Sequence, residues 1–112
     1  MLVPDSAILR VLRLLDASPA LTQREMAREM GVSLGKANYC LRALLNKGFV
    51  KAQNFRRSTH KRGYVYLLTP EGVAAKAALT RDFLALKLEE YDALKIEIER
   101  LKREAEIEVQ KT

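Results

Sequence analysis

The chain has 112 residues, carries 20 Lys and Arg against 14 Asp and Glu for a formal net charge of +6, and is 48% hydrophobic. That is enough for one small domain with an appendage, and it is too apolar for wholesale disorder. One cysteine, Cys40, and one histidine, His60, exclude an internal disulfide framework and an ordinary Cys/His metal cluster, so neither metal nor cofactor is expected.

No apolar run reaches the roughly 18 to 20 residues of a membrane span, and the start MLVPDSAILR has no basic segment followed by an apolar one. A cytoplasmic protein without a membrane partner is expected. A first helix is predicted from Asp5, as N-cap, to about Ala17, with Ile8, Leu9, Val11, Leu12, Leu14 and Leu15 apolar and Arg10 and Arg13 on the other face. Thr22-Gln23-Arg24-Glu25 has the form of a capping box and opens a second, short helix that Gly31 ends. Leu21 and Met26 are spaced to staple its entry. Ser33 then caps a third helix, Leu34 to about Lys47, whose apolar stripe is Leu34, Ala37, Leu41, Leu44 and Leu45 and which Gly48 stops.

Phe49 to Phe55 and Tyr64 to Leu68 are rich in aromatic and β-branched residues, and the basic segment from Arg56 to Gly63 separates them. Two antiparallel strands joined by a basic loop are predicted. Thr69 then caps a last helix with Pro70 at its first position and Glu71 complementing its dipole. It extends to about Glu108, with a bend at Leu79-Thr80 if Thr80 caps a separate segment. The fold class is therefore mainly α with a small β-ribbon: a winged helix-turn-helix domain over residues 1–78, followed by a long helical, coiled-coil-like dimerisation arm over 79–112.

Charge is concentrated in the middle third. Residues 30–70 contain eight bases and no acid, whereas the segments before and after sum to zero and −2. A solvated surface gains from mixing signs; forty-one residues without a carboxylate create a single-signed field suited to a polyanion such as the phosphates of nucleic acid. In the winged helix-turn-helix order the third helix presents its polar face to the major groove and the ribbon reaches flanking phosphates or the minor groove.

The candidate DNA contacts follow from that placement. On the third helix they are Ser33, Gly35, Lys36, Asn38, Tyr39 and Arg42. Asn38 suits a bidentate pair with adenine, Lys36 a guanine edge or a phosphate, and Gly35 a close approach of helix to DNA. Thr22, Gln23 and Arg24 stand at a helix start suited to a phosphate, although capping already accounts for Thr22. Arg56, Arg57, Lys61 and Arg62 form the wing set, and His60 reads as a loop residue beside them. Cys40 borders the apolar stripe and reads as a small buried hydrophobe rather than a redox sensor.

On the last helix, Leu84, Tyr91, Ile98 and Ala105 occupy heptad position a, with Leu94 and Leu101 at d. Lys87 interrupts that seam. Glu90 and Glu97 at g face Lys95 and Lys102 at e in a parallel pair, whereas an antiparallel pair sets Glu against Glu. A parallel homodimer through Leu84, Tyr91, Leu94, Ile98, Leu101 and Ala105 is expected. The competing classes are a winged-helix protein-interaction module, disfavoured by uniform basicity, and an RNA-binding protein in which Phe49, Phe55, Tyr64 and Tyr66 stack bases. An enzyme is not expected, because one His and one Cys in different elements assemble no usual nucleophile and base.

The run VSLGKANYCLRALLNKGFVKAQNF, followed by YVYLLTPEGV and LTRDFLALKLEEY, resembles the MarR-type regulators associated with exopolysaccharide gene clusters, over nearly the whole chain. The resemblance implies a bacterial winged-helix transcriptional regulator of exopolysaccharide biosynthesis genes. The wing lacks the Asp-x-Arg element of the broader family, and no small-molecule effector site is recognisable, so none is expected.

Overall fold

A computed structural model describes residues 3–56 and 62–111, which form α1 (Asp5–Ala17), α2 (Gln23–Met30), α3 (Leu34–Lys47), β1 (Val50–Arg56), β2 (Arg62–Leu68) and α4 (Pro70–Lys111). The chain divides into two compact units, Met1–Leu79 and Thr80–Thr112.

Local chemistry sets the helix ends. Thr22 Oγ1 accepts from the Glu25 backbone N–H at 3.1 Å, and Ser33 Oγ accepts from that of Lys36 at 3.1 Å, so each side chain satisfies an otherwise orphaned donor. Gly31 (φ 67°) and Gly48 (φ 77°) close α2 and α3 in the left-handed conformation, which costs a residue without Cβ little. Two expectations are corrected here. Asp5 is not the N-cap of α1: Pro4 holds that position without a side-chain bond, and Asp5 lies inside the first turn, where its charge complements the dipole. In the capping box, the Glu25 carboxylate accepts from the Thr22 hydroxyl at 2.9 Å instead of reaching back to the Thr22 N–H.

The core of the first unit joins Ile8, Val11, Leu12 and Leu15 of α1, Met26 of α2, Cys40, Leu41 and Leu44 of α3, and Val50 and Tyr66 of the ribbon. Leu34 is not part of it. It is 42% exposed in the opening turn of α3, before the helix reaches the other elements, while Cys40 is buried. Lys76 of α4 ion-pairs with Asp16 of α1 at 2.7 Å.

The ribbon is a two-stranded antiparallel sheet with Val50 opposite Leu68, Ala52 opposite Tyr66 and Arg56 opposite Arg62. Pairing carries both strands further toward the tip than the aromatic clusters alone suggest. The Tyr66 N–H donates to Pro19 O at 3.0 Å, which ties the α1–α2 connection to the outer edge of β2. A second junction seats α4 on the end of α3. The Thr69 N–H donates to Phe49 O at 3.0 Å, its hydroxyl donates to Gly48 O, and that hydroxyl oxygen accepts from the Gly72 N–H at 3.1 Å.

The second unit, Thr80–Thr112, is described as helix through Lys111. No helix among the described residues is long and apolar enough to cross a membrane.

Candidate nucleic-acid interface

The apolar residues of α3 determine which side chains face outward. Ala37, Cys40, Leu41 and Leu44 are buried, and the opposite line at i, i+4, i+7 and i+11 is Gly35, Tyr39, Arg42 and Asn46, all exposed. Lys36, exposed, flanks this line on one side and Asn38, half-buried, on the other. The face is thus composed of hydrogen-bonding and cationic groups with no carboxylate. Asn46 was not among the expected contacts; its signal was the i+11 spacing from Gly35, which places it on the same line.

Gly35 leaves open space where a Cβ would stand, so nothing in the fold requires a glycine there. Ser33 is exposed at the helix start with its hydroxyl oxygen engaged as the cap. On the neighbouring helix Arg24 is exposed, and the Thr22 hydroxyl is occupied on both sides by Glu25. Gln23 is half-buried and accepts a hydrogen bond from Asn38, so the structure brings these two expected contacts together. Arg10, outside this surface, donates to the backbone carbonyl of Glu29 and caps the end of α2.

Of the expected wing set, Arg56 and Arg62 are paired residues of the ribbon, while Arg57 and Lys61, like His60, lie outside the described residues. Lys51, Gln53 and Asn54 on β1 and Tyr64 on β2 are exposed, and the Tyr64 and Tyr66 rings stand 6.2 Å apart, tilted by 32°. The buried thiol of Cys40 is pushed up by desolvation, with the Lys36 charge acting weakly the other way, so it is a protonated packing residue at neutral pH. Among the described residues no polar or charged side chain is buried, and no group of three His, Cys, Asp or Glu comes together.

The expected dimerisation residues are exposed on the α4 segment of the second unit: Leu84, Tyr91, Leu94, Ile98 and Leu101 are each between 41% and 58% exposed, and Ala105 is exposed as well. Lys87, at a seam position, bonds to Glu90 at 3.1 Å, and Lys95 places its ammonium 5.5 Å from the centre of the Tyr91 ring.

Residues 4–51 match the family model described as winged helix-turn-helix DNA-binding. No protein of curated function matches the chain. Among solved structures, the MarR family protein Rv2887 of Mycobacterium tuberculosis, solved in complex with salicylic acid, is similar at 26% identity and a TM-score of 0.59, over 74% of this chain and 60% of that one. The chain therefore spans less than two thirds of the length of that relative. The PcaV transcriptional regulator of Streptomyces coelicolor is similar at 21% identity and a TM-score of 0.63, over 90% of this chain and 79% of that one. A mutant of MepR from S. aureus bound to an oligodeoxyribonucleotide is similar at 21% identity and a TM-score of 0.60, over 85% and 75%. Residues 4–51 thus match a winged helix-turn-helix model, and with the ribbon of β1 and β2 the chain has a fold shared with MarR-family regulators.

Proposed function

We propose that the chain is a homodimeric transcriptional regulator that binds an inverted-repeat DNA operator. The observation that carries this reading is the exposed face of α3, which is free of acid and lies within an acid-free stretch of eight bases. In this reading Gly35, Lys36, Asn38, Tyr39 and Arg42 enter the major groove, with Ser33 at the helix start beside the phosphates. Arg24 at the start of α2, and Arg56, Arg57, Lys61 and Arg62 in the wing, hold flanking phosphates.

The second copy pairs through Leu84, Tyr91, Leu94, Ile98, Leu101 and Ala105. Charge complementarity supports a parallel arrangement, because Glu90 and Glu97 then meet Lys95 and Lys102 of the other chain. The seam is short, so the dimer is held jointly by the arm and by DNA. Two-fold symmetry sets half-sites about one turn, roughly 10 bp, or a multiple apart. The sequence resemblance through SLGKANYCLRAL supports exopolysaccharide biosynthesis genes as the regulated set.

The test is enrichment of duplexes from a randomised pool by the full chain. An inverted repeat is expected in the enriched pool. Retention of duplexes without a common sequence, or tighter retention of single-stranded RNA, would overturn the reading.

A further inference from the structure

One side-chain hydrogen bond crosses between the two helices of the helix-turn-helix. Asn38 Nδ2 donates to Gln23 Oε1 at 2.8 Å, and both side chains are half-buried. A primary amide has a carbonyl oxygen that accepts and an NH2 that donates twice, and a half-turn about its last bond exchanges the two ends. The bond to Gln23 ties the Asn38 side chain to α2, and because Gln23 is also an amide the pair can be made in either sense. Asn38 turned over alone would set Oδ1 against Oε1, acceptor against acceptor, so the two amides turn together or not at all and the Asn38 side chain stays held against α2.

Two adjacent functions of Asn38 then remain: the second N–H and the lone pairs of Oδ1. Adenine offers the matching edge in the major groove, N7 as acceptor and the N6 amino group as donor. Guanine offers acceptors at both N7 and O6, and Oδ1 would meet one of them unfavourably. An amide held in place can make the bidentate pair with adenine that guanine cannot match, whereas one free to move along the face makes that pair less well.

We propose that Gln23 is a positioning residue that holds the Asn38 amide in place for recognition of adenine, an inference that rests on the DNA-reading function proposed above. Gln23 reads no base itself. It acts through Asn38, and its loss is felt as lost discrimination at one base pair of each half-site.

The experiment repeats the pool enrichment with wild type, Asn38→Ala, Gln23→Met and Gln23→Glu, and follows with affinities for the enriched duplex and its adenine-to-guanine variant. Gln23→Met keeps the length of the side chain and removes the acceptor; Gln23→Glu keeps an acceptor oxygen and adds a charge. The wild type is expected to prefer adenine at one position by roughly tenfold or more, and Asn38→Ala to lose that preference. Gln23→Met loses most of it while keeping its affinity for unrelated duplex. Gln23→Glu retains the preference but binds every duplex more weakly, because its carboxylate repels phosphate. In the Asn38→Ala background Gln23→Met has no further effect on selectivity. Thermal unfolding of each variant checks that the domain is intact.

Undiminished adenine preference in Gln23→Met overturns the inference, as does an equal loss of affinity for all duplexes, which would make Gln23 a phosphate contact in its own right. Adenine preference that survives in Asn38→Ala overturns it as well. A wild-type pool without an enriched sequence would refute the proposed function and this inference together, whereas an enriched pool with an unchanged adenine refutes the positioning role alone.

Discussion

Replacing Gly72 by alanine tests how α4 is seated on the end of α3. A Cβ built on Gly72 would lie 1.9 Å from Phe49 O and 2.9 Å from Phe49 C. The contact must open by at least about 1.5 Å to reach an ordinary van der Waals separation. The obstacle is backbone, and the Phe49 carbonyl already accepts from the Thr69 N–H at 3.0 Å, so no side chain can swing aside. Overpacking of this kind costs about 1–3 kcal/mol, and loosening the Thr69 bond adds about 1 kcal/mol. Alanine returns up to about 1 kcal/mol through helix propensity. The expected outcome is a loss of about 2 kcal/mol, equivalent to a fall in Tm of roughly 8–16 °C for a unit of this size. Urea unfolding followed by far-ultraviolet dichroism and tyrosine fluorescence, at fixed protein concentration, measures it. The midpoint should fall with the slope unchanged. A variant as stable as wild type, or more stable, would show that propensity outweighs the contact and refute the reasoning.

Gly35→Ala should have the opposite effect on the fold. Its Cβ enters open space, so stability should rise by up to about 1 kcal/mol in thermal unfolding. Affinity for the enriched duplex should fall about tenfold in an anisotropy titration, a cost of about 1.4 kcal/mol for a methyl group at a groove contact. For the arm, Leu101→Cys in a Cys40→Ala background should form an intermolecular disulfide on mild oxidation. Parallel pairing sets the two sulfurs side by side, whereas an antiparallel pair of these heptads separates them by well over the roughly 7 Å limit for a bridge. Cys40 itself gives a pH signature. Burial raises its pKa in the folded state, so above the ordinary thiol range the folded chain holds a proton that the unfolded chain has lost, and stability falls as pH rises. Between about pH 8 and about pH 10 the stability of wild type relative to Cys40→Ala should decline. A constant difference would contradict the assignment of a buried, protonated thiol.

The local signals of the chain were legible because they act over a few residues. Thr22, Ser33, Gly31 and Gly48 mark helix ends by chemistry confined to one turn, and the structure places caps at each. Thr69 and Pro70 likewise open α4. The stripe of α3 was legible in its period but not in its extent: Leu34 fits the spacing, yet the core begins only a turn later, at Ala37. The strands were located by their aromatic and β-branched residues, and their ends were short because pairing to Arg56 and Arg62 depends on backbone register. What the sequence could not display was long-range. The Asn38–Gln23 bond, the tie from Tyr66 to Pro19 and the close approach of Gly72 to Phe49 each join residues that composition and periodicity treat separately. At Gly72 a glycine in the first turn of a helix looks like a weak helix former, and only the neighbouring carbonyl explains it. Thr80 could have capped a separate segment on sequence grounds, but α4 runs through it to Lys111.

The most direct test of the central claim is a fluorescence-anisotropy titration of the enriched duplex and of a scrambled one, across salt concentrations, with wild type and with Lys36→Ala plus Asn38→Ala. The wild type should bind the enriched duplex far more tightly, with log affinity falling steeply against log salt. The double variant should lose the discrimination, and its salt slope should shrink by about 1 if Lys36 neutralises one phosphate. Equal, weak binding of both duplexes by both proteins would contradict a sequence-reading role for α3.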